Sequence, residues 1–243
     1  MTLVDVGNSR IKLNAGGGSS AAPTLSIPTR PFESIAERLA ESATPGFLSD
    51  IRGQAWGVSV CSSAEPEIER ALGTRIGWIG RDIPLPVPLR VERPEQIGPD
   101  RVLNAFAAWS MAKGPAVAVS CGTAITFDVA AQDGAFLGGA ITAGLALCAA
   151  ALHERTERLP RVELSLPVEC PAGTTQKALN AGIILGAAGA VSRILKGIRS
   201  ALVQPGLVVL TGGDATLLAP LVPEVDEVVP DLTLEGLALA VRR

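Results

Sequence analysis

Along this chain, short runs of β-branched and apolar residues alternate with segments whose apolar positions recur at helical spacing. Thr2 to Val6, Arg10 to Ala15, Ala55 to Val60, Ala116 to Ser120, Ile125 to Ala130 and Leu207 to Thr211 read as strands. Ile35 to Ser42, Arg101 to Ala112, Leu145 to Glu157, Thr175 to Leu202 and Ala215 to Leu221 read as helices. In the second of these, Val102, Leu103, Phe106 and Ala107 share one face. The alternation predicts an α/β protein in which apolar helix faces cover a sheet.

A weak self-similarity refines this. The order strand, turn with glycine and a hydroxyl or amide, strand occurs twice, as LVDVGNSRIKL and as AVSCGTAITFDV. Two halves follow, residues 1–113 and 114–243, divided where Gly114 and Pro115 end a helix. The stretch Gly16 to Ser20 reads as a surface turn inside the first half, not a linker.

Composition narrows the partners. The net charge of −3, with Lys and Arg evenly scattered, leaves no basic stripe to track a nucleic acid. The longest apolar runs, Ala143 to Leu152 and Ala181 to Val191, are short of what a bilayer of about 30 Å requires, so no membrane span is expected. Asp5 and a turn signal interrupt the first apolar segment before a secretory core forms, which predicts a cytoplasmic protein. Cys61, Cys121, Cys148 and Cys170 lack CxxC spacing and read as buried free thiols. With His153 the only histidine, neither a zinc cluster nor a disulfide framework is expected. His153 itself reads as a helix-surface or interface residue.

Chemistry concentrates at glycine turns. In Asp5-Val6-Gly7-Asn8-Ser9, a tight hairpin brings backbone N–H groups, the Asn8 amide and the Ser9 hydroxyl to one point, with Lys12 close by. Gly7 lets the backbone approach an anion, and Asp5 can hold a hydrated Mg²⁺ against phosphate oxygens. An ordinary Gly-Asn hairpin turn fits the same residues. Cys121-Gly122-Thr123-Ala124-Ile125-Thr126 repeats the arrangement, and two phosphate hairpins together make a nucleotide site. Neither GxxxxGK[ST] nor GxGxxG after the first strand is present, which disfavours P-loop and dinucleotide folds. A third turn, Leu210 to Ala215 with Gly212 and Gly213, suits an adenosine or ribose contact, or a plain strand-to-helix turn with Asp214 as N-cap. Gly98-Pro99-Asp100-Arg101 places a carboxylate and a guanidinium at a helix start. Phosphoryl transfer can use the pair to deprotonate a hydroxyl and bind an anion, although helix-dipole complementarity and a solvated ion pair explain it too.

Taken in order, DVGNSRIK, GPDR, SCGTAITFD, GGAITAGLAL, LPRVEL, TTQKALNAGI and LTGGDA resemble type III pantothenate kinase over nearly the whole chain. The resemblance implies an α/β fold of two ribonuclease H-like, actin-like ATPase halves with a nucleotide cleft between them. It also implies a homodimer, and ATP-dependent phosphorylation of pantothenate to 4′-phosphopantothenate, with Mg²⁺ and a monovalent cation (K⁺ or NH₄⁺). Carried over by position, Asp5, Val6, Gly7, Asn8, Ser9, Arg10, Ile11 and Lys12 form the first phosphate loop. Thr123 belongs to the second, and Gly212 and Gly213 meet adenosine. Gly98, Pro99, Asp100 and Arg101 form the pantothenate site, with Asp100 as proton acceptor, Arg101 on the substrate carboxylate and Thr175 as a further contact.

Two positions depart from the family pattern. Ser120 stands where an aspartate normally helps to hold the monovalent cation, and a hydroxyl does not replace that charge. Asp128 is the nearby carboxylate that can compensate. Val91 stands where a pantothenate-contacting tyrosine is usual, in a chain without any tyrosine. Ala143-Gly144 replaces a Pro-Gly pair. These departures keep two alternatives open: an impaired nucleotide-binding homologue with an accessory or regulatory role, and a kinase for another small hydroxylated substrate.

Overall fold

A computed structural model of the chain describes residues 1–16, 23–44, 47, 51, 53–202 and 206–242. Of the Gly16 to Ser20 stretch expected as a surface turn, residues 17–20 lie outside the described residues. Packing divides the chain into two units. The first comprises Met1–Pro88, Glu92–Ala107 and Leu232–Arg243, and the second Leu89–Val91 and Ala108–Asp231.

The first unit is built on β1 (Thr2–Val6), β2 (Arg10–Asn14), β3 (Thr24–Pro28), β4 (Ala55–Ser59) and β5 (Ile76–Trp78), in the order β3-β2-β1-β4-β5. β1 pairs antiparallel with β2 and parallel with β4. Period-two alternation along β1 sends Val4 and Val6 to one face and Leu3 and Asp5 to the other. Val4 and Val6 join Ile11, Leu13 and Ile27 beneath α1 (Ile35–Ser42), which buries Ile35 and Leu39, and α2 (Glu65–Leu72), which buries Ile68. On the opposite face Leu3 and Val58 meet Leu103 of α3 (Pro99–Ala112) and Leu234, Leu237 and Ala238 of α7 (Leu232–Val241).

The units depart from halves at 1–113 and 114–243 at Leu89–Val91 and at 108–113, which fall in the second, and above all at that C-terminal helix, which falls in the first. Its leucines share a core with Leu3, Val58 and Leu103, and Thr233 Oγ1 donates to Asn104 Oδ1 at 2.8 Å. The approach is so close that a Cβ on Gly236 would sit 2.4 Å from the Leu103 carbonyl oxygen.

The second unit repeats the plan. β6 (Ala116–Cys121), β7 (Ala124–Ala130), β8 (Phe136–Ala143), β9 (Leu207–Thr211) and β10 (Glu227–Val228) run in the order β10-β9-β6-β7-β8. β6 pairs antiparallel with β7 and parallel with β9, as β1 does with β2 and β4. The two similar sequence segments are therefore the two equivalent hairpins. α4 (Leu145–Glu154), α5 (Thr175–Ala201) and the short α6 (Ala215–Leu218) pack on the face that carries Val117, Val119, Ile125 and Phe127. α5 is long and apolar enough to cross a membrane by length and composition. One side of it packs Ile184, Val191 and Leu195 into that core.

Candidate active site

In the first unit the hairpin β1–β2 closes with the Gly7 N–H donating to the Arg10 carbonyl at 2.9 Å, leaving Asn8 and Ser9 exposed at the tip. Asp5 lies directly opposite Lys12 across the antiparallel pair, so both side chains emerge on one face next to the turn. It is the face that also carries Leu3 and Val58 and is covered by α3. Burial of Leu103 thus fixes the helix whose first turn holds Asp100 and Arg101.

The connection between turn and helix start is short. The Val60 N–H donates to the Val6 carbonyl at 3.0 Å, at the end of the parallel strands. A Cβ on Gly98 would lie 3.5 Å from Val60 Cγ1 and 2.5 Å from Asp100 Oδ1, so glycine is what lets the Asp100 carboxylate fold back against this corner. Pro99 opens α3, a position where its missing N–H costs no helical bond. Asp100 is half-buried, and burial pushes its carboxyl above the ordinary carboxylate range, against the pull of the Arg101 N–H and charge. The structure thus brings Asp5, Gly7, Lys12, Gly98 and Asp100 to one side and one end of the first sheet.

Thr29 is a participant that the sequence did not signal. Fully buried after β3, it donates from Oγ1 to the Gly7 carbonyl at 2.8 Å and from its N–H to the Ser9 carbonyl at 3.0 Å. Twenty residues separate it from the turn, and only the β2–β3 pairing brings them together.

In the second unit the β6–β7 turn and the third glycine turn meet. The Asp214 N–H donates to the Cys121 carbonyl at 3.1 Å, and Gly212, at φ +95°, passes so near that a Cβ would be 2.3 Å from the same oxygen. Asp214 holds the N-cap position of α6 without a side-chain cap bond, so the capping role expected as one alternative is not made. Burial raises its carboxyl pKa, and burial together with Asp214 pushes the Cys121 thiol up to about 12. Gly144 supports the second turn, its N–H donating to the Thr123 carbonyl at 3.0 Å. A Cβ on Gly122, by contrast, would meet nothing nearer than the Ala124 carbonyl at 4.0 Å, and one on Gly213 nothing within 4 Å. The chain itself therefore leaves room for a Cβ at either place.

Other expected residues fall on separate elements. Thr175 is exposed in the first turn of α5, whose capping hydroxyl is Thr174 Oγ1, accepting from the Lys177 N–H at 3.3 Å. Val91 is half-buried, 3.5 Å from where a Cβ on Gly138 would stand. His153 is exposed on α4 and its Nδ1–H donates to the Leu159 carbonyl at 2.9 Å. All four cysteines are free. Cys61 and Cys121 are buried as expected, but Cys148 is half-buried and Cys170 exposed, because the segment before α5 leaves it at the surface.

Among the described residues no group of three or more His, Cys, Asp or Glu side chains is placed to hold a metal. A single carboxylate such as Asp5 still suits Mg²⁺, which is commonly held by one or two carboxylates together with substrate phosphates. The monovalent-cation position fits less well. Ser120 pairs with Thr126 across β6–β7, and Asp128, two residues on and on the same face, is fully buried and accepts a hydrogen bond from Thr126 Oγ1 at 2.9 Å.

Known proteins resemble this chain over most of its length. A Dehalococcoides mccartyi type III pantothenate kinase is 33% identical over 250 residues, covering 98% of this chain and 93% of that protein. One from Nitratidesulfovibrio vulgaris is 36% identical over 254 residues, covering 98% and 95%. One from Thermomicrobium roseum reaches 43% over 157 residues, 65% of this chain and 61% of that protein. Among solved structures, a Baf family protein from Campylobacter jejuni superposes with a TM-score of 0.62 at 17% identity, covering 100% and 98% of the two chains. A ROK family glucokinase from Streptomyces griseus, in complex with glucose and AMPPNP, gives 0.54 at 11%, covering 100% and 99%. The α/β fold of two similar halves that the resemblance implies is shared with these two structures. Since the profile of the family described as type III pantothenate kinase also matches residues 1–197, the chain belongs to the type III pantothenate kinase family.

Proposed function

We propose a division of labour among these residues for the family's reaction, the ATP-dependent phosphorylation of pantothenate that begins coenzyme A biosynthesis. Asp100 accepts the proton of the pantothenate primary hydroxyl, and Arg101 binds the pantothenate carboxylate. Asn8 and Ser9 hold phosphate oxygens, while Lys12 and an Mg²⁺ bound through Asp5 offset charge on the transferring group. Thr123 serves the second phosphate turn, and Gly212 and Gly213 admit the adenosine. Thr175 is a further pantothenate contact, and Val91 leaves its part of the pocket without the usual phenol.

The observation that carries this reading is Asp100, a half-buried carboxyl folded over Gly98 at the strand end from which the Gly7 turn emerges. Its proton affinity is raised above that of a solvated carboxylate, as a general base for an alcohol requires. A cytoplasmic location goes with a reaction that consumes ATP. A homodimer goes with the apolar surface the second unit exposes, where Ile141 is 62% and Leu147 48% accessible.

Incubation with ATP, Mg²⁺ and pantothenate, with mass detection of 4′-phosphopantothenate, tests the activity. Absence of product in every salt tried would put the accessory, nucleotide-binding reading in its place. The Ser120 departure gives a second expected result. Without a carboxylate at that position, K⁺ or NH₄⁺ will change turnover less than about threefold, whereas Ser120→Asp will introduce dependence on either cation. Strong activation of the unaltered protein by K⁺ would show that other groups supply the site.

A further inference from the structure

One buried residue, through its hydroxyl and its backbone N–H, sets the direction of two peptide groups in the first glycine turn. The Thr29 hydroxyl takes the Gly7 carbonyl and the Thr29 N–H takes the Ser9 carbonyl, at 2.8 and 3.0 Å. In a trans peptide the carbonyl and the following N–H point in opposite directions. With both oxygens turned toward Thr29, the N–H groups of Asn8 and Arg10 are directed to the other side of the turn. Backbone N–H groups directed to one side of a turn in this way make a concave anion site.

Thr29 is itself anchored. Arg38 of α1 donates from one guanidinium nitrogen to the Thr29 carbonyl at 3.4 Å and the Pro31 carbonyl at 2.7 Å, and from another to Ser34 Oγ at 2.6 Å. The segment 29–34 is thus tied to α1, and α1 to the sheet through buried Ile35 and Leu39.

We infer that Thr29 is a positioning residue for phosphoryl transfer: without touching ATP, it aims the Asn8 and Arg10 N–H groups at the phosphates. The inference rests on Asp5 to Lys12 being the phosphate turn proposed above. A purely structural threonine predicts that loss of its hydroxyl lowers stability and leaves nucleotide binding alone. A positioning threonine predicts weakened nucleotide binding that returns with the hydroxyl.

The test compares Thr29→Val, of similar shape but without the hydroxyl, with Thr29→Ser, which restores it, using calorimetric titration of Mg²⁺-AMPPNP and steady-state kinetics. Thr29→Val is expected to raise the Kd for the analogue and the KM for ATP about tenfold. Its KM for pantothenate should stay near the wild-type value, and Thr29→Ser should recover wild-type affinity within about twofold. If Thr29→Val does not fold, Arg38→Met provides the reading: a Kd about threefold higher supports the role, and an unchanged Kd overturns it. Wild-type affinity in a folded Thr29→Val, or a Thr29→Ser no better than Thr29→Val, also overturns it. Lys12→Ala separates the two levels of the argument. If Lys12→Ala weakens binding and Thr29→Val does not, only the Thr29 role fails; if neither weakens it, the phosphate-turn reading fails as well.

Discussion

Asp100→Asn is expected to lower kcat for pantothenate phosphorylation about 10²–10⁴-fold, the span that general-base catalysis commonly covers. Direct binding of ATP should stay within about threefold of wild type, because Asp100 is assigned to the acceptor alcohol and not to the nucleotide. The same variant should melt at a higher temperature near pH 8. Burial holds the folded-state pKa of Asp100 above its unfolded value, so the ionised carboxylate disfavours the fold at neutral and alkaline pH. That penalty declines as pH falls below the folded pKa and is gone below the unfolded one, and the melting difference between variant and wild type should shrink with it. Activity runs the other way: the acid limb of the kcat profile should lie above the range of a solvated carboxylate and disappear in Asp100→Asn. Wild-type kcat in the variant would remove Asp100 from the mechanism. An unchanged melting temperature would instead show that this carboxylate is not a stored cost of the active site.

The parts of the molecule that sequence made legible are those specified locally. The β1–β2 and β6–β7 hairpins were readable because glycine and a small polar residue interrupt alternating strands, and their equivalence appears in the matching pairing of the two sheets. α1 was readable to the residue because Ile35 and Leu39 repeat at helical spacing within a polar segment. β8 was not expected as a strand, since Gly138 and Gly139 break its pattern. In the sheet, Gly139 faces Asp128 across the pair, where a Cβ would lie 1.6 Å from the Phe127 carbonyl oxygen. β3, ending in proline, and the polar helix α2 were equally silent.

For the site, residue types were legible and their supports were not. Asp100 and Lys12 could be named from motifs, but the elevated proton affinity of Asp100 depends on burial that no local pattern encodes. Thr29 illustrates the same limit. Its neighbours in sequence mark only the end of a strand, and its role comes from a pairing that sets Arg10 opposite Pro28. The placement of α7 in the first unit likewise follows from Leu234 and Leu237 finding Leu3 and Val58, a contact between opposite ends of the chain.

The second large effect concerns Gly144 and is sharpest when set beside Gly122. Gly144 has extended backbone (φ −74°, ψ 166°), which any residue can adopt, so the expected damage from Gly144→Ala is steric. Its Cβ would lie 1.9 Å from the Gly122 carbonyl oxygen and 2.6 Å from that of Thr123, both backbone atoms of the second turn. The turn has to move, at a cost of about 1–3 kcal/mol for overpacking. A displacement on the order of 1 Å at a phosphate contact lowers kcat/KM about 10²-fold. Gly144→Ala should therefore lose both melting temperature and ATP-dependent kcat/KM. Gly122→Ala meets no obstacle within the chain and should keep its melting temperature. If a nucleotide phosphate comes against Gly122, that variant still loses ATP affinity, because the methyl group occupies the ligand's space and not the protein's. A Gly122→Ala protein with wild-type KM for ATP would show that the second turn does not meet the nucleotide. The loss in Gly144→Ala would then be one of folding alone.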